Sequence, residues 1–240
     1  MQQFSDLAIT PLVLSALKKL NLINPTPIQT LSIPMALDGK DLLGTAQTGT
    51  GKTYAFGIPL VNHLTLNKDS GALILTPTRE LALQVLKALQ DLTSNKNNLD
   101  SALIIGGDSI QKQLRQLKRA RLVVGTPGRT QDHLRRKSLK LNKFDFLVLD
   151  ETDRMLDMGF IHDIRKIMAL LPKQRQTLMF SATFSQEIRK LANELESSLG
   201  GLYSLLSQEF QVPLVNLLMK RLGSKGAIPK IPKGSITPAI

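Results

Sequence analysis

The chain has 240 residues, 42% of them hydrophobic, and a formal net charge of +12 at pH 7, enough apolar content for one large domain or one domain with an appendage. It has no cysteine, which excludes disulfides, thiolate catalysis and Cys-ligated zinc or iron–sulfur sites; His63, His133 and His162 show no metal-ligand spacing. With no charged-then-apolar leader and no apolar run long enough for a bilayer, a soluble cytoplasmic protein without a membrane partner is expected.

Phe4 to Leu22 reads as a helix, with Leu7, Leu12, Leu14, Leu17 and Leu20 on one face and Thr10-Pro11 as an N-cap and first helical residue. Asn24-Pro25-Thr26-Pro27 breaks the chain. Ile28 to Leu37 is helical again, and Asp38 to Asp41 is a turn. Leu42 to Thr53 then gives a short apolar strand, a Gly/Thr turn and a helix beginning at Lys52 that runs to about Leu66.

The segment Ala46-Gln47-Thr48-Gly49-Thr50-Gly51-Lys52-Thr53 fits the phosphate-binding P-loop pattern, with Ala46 where the strict pattern has Gly. Gly49 and Gly51 let the backbone curl so that successive N–H groups face one concavity. The following helix presents its positive end to the same anion. Lys52 offers a point charge to the outer phosphates and Thr53 a hydroxyl to Mg²⁺.

Short apolar strands then alternate with helices. The strands are Ala72 to Thr76, Ser101 to Ile105, Arg121 to Gly125, Phe146 to Asp150 and Thr177 to Ser181; helices are expected at Arg79 to Asp91, Ser109 to Arg119 and Gly159 to Leu170. The alternation predicts a three-layer α/β fold with a mostly parallel sheet and helices on both faces. Ligands of such sheets sit at the carboxyl ends of strands, and four strands here end on small or polar residues. One ends on Asp150-Glu151-Thr152-Asp153: Asp150 suits a Mg²⁺ site and Glu151 the orientation or deprotonation of water, or the stretch is an acidic cap of the next helix.

Charge is uneven. Gln111 to Lys140 carries ten Lys/Arg against Asp132 alone, and Lys220 to Ile240 five with no acid. Such a balance fits a nucleic-acid partner or a solvated basic face.

Taken together, these pieces resemble the first RecA-like domain of a DEAD-box RNA helicase, from Phe4 to about Asn193, with motifs in family order. Thr26-Pro27-Ile28-Gln29 resembles the Q motif. The resemblance implies that Gln29 bonds the adenine edge and Phe4 stacks on the ring, and so implies ATP. Asn21-Leu22 stands where the family has Gly and an aromatic. Pro77-Thr78-Arg79-Glu80-Leu81-Ala82, Gly106-Gly107 and Thr126-Pro127-Gly128-Arg129 resemble the motifs that line an RNA backbone, read without base specificity. Thr130 departs from the usual Leu. The family's naming motif is spelled here with Thr152 in place of Ala. By resemblance, Lys52, Asp150 and Glu151 are catalytic, Thr53 and Asp150 hold Mg²⁺, and Asp153 bonds the Ser181/Thr183 motif to couple nucleotide state to RNA grip.

The implied organisation is a RecA-like ATP-binding domain over 1–196 and a divergent basic tail, partly disordered, over 197–240. No counterpart of the family's second RecA-like domain, with its arginine finger, is legible. The expected function is therefore the nucleotide- and RNA-binding half of an ATP-dependent RNA helicase, slow alone and open to a second RecA-like domain or other protein partner. The alternatives are a non-catalytic ATP-responsive RNA- or partner-binding module and a truncated remnant.

Overall fold

The computed structural model describes residues 3–47, 49–93, 99–196 and 202–206. Thr48, and the 197–240 segment apart from 202–206, lie outside the described residues. The strands are β1 (Asp41–Thr45), β2 (Gly71–Leu75), β3 (Ser101–Ile104), β4 (Leu122–Gly125), β5 (Phe144–Leu149), β6 (Gln176–Ser181) and β7 (Leu202–Leu206). They form one sheet in the order β3-β4-β2-β5-β6-β1-β7, with every pair parallel. The inclusion of β7 is not legible in the sequence: those five residues fall in the stretch that reads as a divergent tail, yet they pair along the whole of β1.

Consecutive strand residues point to opposite faces, and each face has its own helices. Leu42, Ile74, Val124, Val148 and Phe180 pack on one side with α1 (Pro11–Lys19), α2 (Pro27–Leu37), α3 (Lys52–Leu66) and α4 (Arg79–Leu92). Leu43, Leu75, Val123, Leu149 and Met179 face the other side. There Met155 comes from α7 (Thr152–Asp157), Ile164 and Ile167 from α8 (Ile161–Met168), and Ile188 and Leu191 from α9 (Gln186–Glu196). Burial on both faces explains why the strands read as unbroken apolar runs. The fully buried Phe56 of α3 meets Phe180 of β6 at 5.6 Å between ring centres, fixing the helix that begins at Lys52 onto the sheet.

Three helices are not announced by the sequence pattern: α6 (Pro127–Arg135), α7 and α9. The first two are short and polar, so their apolar periodicity is too brief to register. The single helix expected over Phe4 to Leu22 is in fact a 3₁₀ turn, Phe4–Asp6, and then α1. Pro11 at the first position of α1 sets that start, since it has no N–H to continue a helix arriving from upstream.

Asn21 stands where the resemblance puts Gly, and the geometry accounts for it. Its φ is 56°. Leu22 N–H donates to Leu17 O at 2.9 Å and Asn21 N–H to Lys18 O at 3.1 Å, the left-handed closure that follows a helix. Asn tolerates this conformation better than other side chains. Asn21→Ala should cost about 1 kcal/mol and lower Tm by about 2–4 °C in a thermal melt, while Asn21→Gly should be neutral or stabilising.

Candidate functional site

Among the described residues, the candidate site residues end the strands, follow them or begin the helices after them, except Gln29, which reaches the P-loop from α2, and Phe4, which packs in the apolar layer beside α1. Strand order divides the carboxyl edge of the sheet in two. The ends of β5, β6 and β1 are neighbours and carry Asp150, Ser181 and the P-loop; the ends of β3, β4 and β2 are neighbours and carry Gly107, Thr126 and Thr78.

In the first half, Gly49 has φ 81° and Gly51 φ 94°, and Gly51 precedes α3 directly. Lys52 is 7% exposed and is the only buried Lys or Arg among the described residues. Its Nζ donates to Ala46 O at 3.0 Å, leaving two of its three N–H groups for a ligand. Thr53 is half-buried in the first turn, and Gln47 is exposed. Asp150 is 3% exposed; its Oδ1 accepts from Glu151 N–H at 3.0 Å. Burial pushes its carboxyl up to about 6, against the pull of Lys52. A carboxylate this poorly solvated is an oxygen donor suited to a hard divalent cation, and the buried ammonium of Lys52 that draws on it suits phosphate oxygens.

The Q-motif residues are tied to this loop. Thr26 Oγ1 donates to Thr50 O at 2.9 Å and Gln29 Nε2 to Gly51 O at 3.0 Å, while Gln29 Oε1 accepts from Thr26 N–H at 2.9 Å. Gln29 thus keeps one N–H and one lone pair for a ligand, and its first task here is to hold the P-loop backbone. Thr26, quoted in the sequence only as part of the Q-motif resemblance, gains its role here: with Gln29 it forms a capping box at the start of α2 and holds the P-loop backbone. A Cβ on Gly51 would meet Gln29 Nε2 at 2.5 Å and Thr26 Oγ1 at 3.0 Å. Gly51→Ala should therefore destabilise the fold by about 1–3 kcal/mol and detach Gln29, measured as a lowered Tm and weakened nucleotide binding. Phe4 is buried, 3% exposed, within the apolar layer beside α1.

Glu151 has φ 50°, an uncommon left-handed conformation for a non-glycine residue, at the step from β5 into α7. Its carboxylate pairs with Arg154 at 3.3 Å. The two threonine departures are both satisfied locally: Thr152 Oγ1 donates to Leu149 O at 3.3 Å, and Thr130 Oγ1 to Thr126 O at 2.9 Å, each side chain fully buried. Asp153 Oδ2 accepts from Ala182 N–H at 3.2 Å and Thr183 N–H at 2.9 Å, while the buried Ser181 Oγ accepts from Thr183 N–H at 3.4 Å. The link between the acidic turn and the end of β6 is therefore made by backbone donors.

In the second half, Thr78 caps α4, its Oγ1 accepting from Leu81 N–H at 3.2 Å, and Arg79 is exposed at the first helical position; Pro77 is buried. Gly107, with φ 75°, packs under the Arg79 guanidinium. Thr126 and Pro127 begin α6, so Gly128 and Arg129 lie in the turn whose N–H groups lack helical partners. Arg129 is held near Asp132 at 4.0 Å, and its Nη1 is buried with no hydrogen-bond partner.

A family model for DEAD/DEAH box helicases matches residues 26–191, most of the chain. The chain belongs to the DEAD/DEAH box helicase family. Among curated relatives, this family member is 46% identical over 191 residues to the ATP-dependent RNA helicase DeaD of Buchnera aphidicola, covering 79% of the chain and 32% of that protein. It is 44% identical over 200 residues to the ATP-dependent RNA helicase CshA of Listeria monocytogenes, covering 82% of the chain and 38% of the relative. The chain thus spans about a third of the length of the curated relatives it matches. A solved DEAD box protein from the hyperthermophile Methanococcus jannaschii superposes with a TM-score of 0.80 at 40% identity, over 85% of this chain and 56% of that one. That likeness bears out the RecA-like α/β fold. A second model, for a bacteriophage head to tail connecting protein, matches residues 147–237, less than half of the chain, and overlaps the helicase match. Among the described residues no helix is long and apolar enough to cross a membrane.

Proposed function

We propose that this chain is the ATP- and RNA-binding half of an ATP-dependent RNA helicase, with Asp150-Glu151-Thr152-Asp153 doing the work of the family's naming motif. The observation that carries the reading is the buried Lys52 beside a buried, poorly solvated Asp150, with Asp153 tied to the β6 turn. In this reading the P-loop residues Ala46, Gln47, Thr48, Gly49, Thr50 and Gly51 wrap the phosphates. Lys52 neutralises their charge, and the spare N–H and lone pair of Gln29 read the adenine edge; stacking of Phe4 on the ring would require its buried side chain to leave the apolar layer beside α1. Thr53 and Asp150 would hold Mg²⁺, which when bound supplies charge neutralisation on the phosphate oxygens. Glu151 orients the attacking water and accepts its proton at the carboxylate. Asp153, gripping the Ala182–Thr183 backbone, transmits changes at the acidic turn to the end of β6.

Pro77, Thr78, Arg79, Gly107, Thr126, Pro127, Gly128 and Arg129 form the RNA half of the edge. Helix-start N–H groups, hydroxyls and arginines there suit phosphates. An arginine finger from a second RecA-like domain is worth on the order of 10³–10⁵ in rate in P-loop enzymes, so slow turnover is expected of this half alone. The ion pair of Glu151 with Arg154 favours a second reading, a nucleotide-responsive RNA-binding module without turnover, because it engages one oxygen, Oε2, of the carboxylate that water would need.

ATP turnover by the purified chain, with and without single-stranded RNA, decides between them beside Lys52→Ala and Glu151→Gln. Slow RNA-stimulated turnover lost in both variants supports the first reading. Nucleotide binding that needs Lys52, without turnover, supports the second. Nucleotide affinity indifferent to Lys52 overturns both.

A further inference from the structure

At the opposite edge of the sheet, beneath the starts of β2 and β5, lies a cavity of about 360 Å³. The five residues of β2 separate it from the carboxyl-end site by roughly 17 Å of strand. Its rim carries Lys118, Lys137, Lys140 and Lys143, all exposed, and none in an ion pair among the described residues. They come from two separate stretches of sequence, brought together after α5 (Ile110–Leu117) and after α6. Arg121 also lines the cavity, but its guanidinium is spent on the carbonyls of Ser70, Leu64 and Asn67, closing the end of α3. One exposed carboxylate, Asp69, shares the rim.

Lys137 adds an independent mark. It follows α6 with φ 54°, in a left-handed closure where Lys137 N–H donates to Leu134 O and Ser138 N–H to His133 O, both at 3.0 Å. Glycine is the unstrained choice at this position. A lysine there trades backbone ease for a charge at the cavity rim.

We propose that this cavity is a second RNA-binding site, taking the phosphodiester backbone of a strand segment distinct from the one at the carboxyl edge. Four unpaired lysines are flexible point charges suited to phosphates and carry no base-specific fork. The one aromatic in the lining, Phe144, is 6% exposed, which leaves no open face on which a base could stack. The site therefore reads backbone alone and lets one long strand touch both edges of the domain. It rests on the proposed RNA half of the carboxyl edge only for that last bridging role.

Anisotropy titrations of poly(U), about 10 and about 40 nucleotides long, across a salt series would test this. Each phosphate neutralised on a single strand contributes about 0.7 to the slope of log K against log salt. Replacing Lys118, Lys137, Lys140 and Lys143 together by Gln should flatten the slope for the long strand by about 3 and leave ATP binding unchanged. Arg79→Ala, at the other edge, should weaken the short strand as well. Lys137→Gly alone should raise Tm and still flatten the long-strand slope by about 0.7, a pairing that a merely structural lysine would not give. An unchanged slope in the fourfold variant overturns the proposal, whether or not the carboxyl-edge site binds RNA. Tight binding of polyglutamate that depends on these lysines, with the RNA slope unchanged, would overturn it too and assign the cavity to an acidic protein instead.

Discussion

Asp150→Asn is expected to make the unliganded protein more stable at pH 7.5 while removing its response to Mg²⁺. The carboxyl group of Asp150 is raised from 3.8 to about 6, first by burial and in spite of the attraction of Lys52. A raised acid favours the protonated folded state. Its contribution to stability is fully present below the unfolded value and is lost as pH rises through about 6. At pH 7.5 the ionised side chain therefore costs the fold on the order of 3 kcal/mol, a cost that a neutral amide avoids. Asn can still accept the Glu151 N–H. Melts of wild type and variant should coincide below about pH 3.8, separate progressively between there and about 6, and keep a constant gap above that, with the variant higher. A variant melting below wild type at pH 7.5 would refute the account. The same proton competes with a cation, so Mg²⁺-dependent ATP binding by the wild type should weaken tenfold or so between pH 7 and pH 5.

Lys52→Ala should abolish most nucleotide affinity. The ammonium is buried, points at the Ala46 carbonyl and keeps two N–H groups in hand. A charge-assisted hydrogen bond contributes about 1.5–3 kcal/mol, so ATP affinity should fall about tenfold to hundredfold for each such bond to a phosphate that the ammonium no longer makes. Calorimetric titration with ATP and Mg²⁺ measures it directly. A second consequence separates this from the mere removal of a phosphate ligand. Lys52 is the main charge drawing Asp150 downward, so its removal should push the Asp150 carboxyl still higher. An NMR titration of Asp150 in the variant, reading no rise, would mean that the two groups do not share a field.

The sequence by itself determined the chemistry that is local in the chain. The P-loop, its Lys-Thr pair, the acidic end of a strand and the turns after the other strands depend on a few adjacent residues and on apolar runs of strand length. Their motif order sufficed to indicate the family. It also carried the alternation of strand and helix, because each strand from β1 to β6 announces itself in its own four to six residues.

Only the tertiary structure decided what depends on residues distant in sequence. The order of the strands divides the carboxyl edge into two halves, and no local pattern records that order. Gln29 and Thr26 meet the P-loop backbone some twenty residues onward. Asn21 fits a glycine position because of a backbone closure, which its identity alone does not announce. Residues 202–206 join the sheet through β1, a partner more than 150 residues away whose edge supplies the hydrogen bonds. The shift at Asp150 follows from burial beneath neighbouring elements, and solvation is a property of the assembled fold. The basic cavity has the same origin: Lys118 and the lysines after α6 share one rim because β2, β4 and β5 stand side by side, and pairing of strands, unlike a motif, is not written in any single stretch.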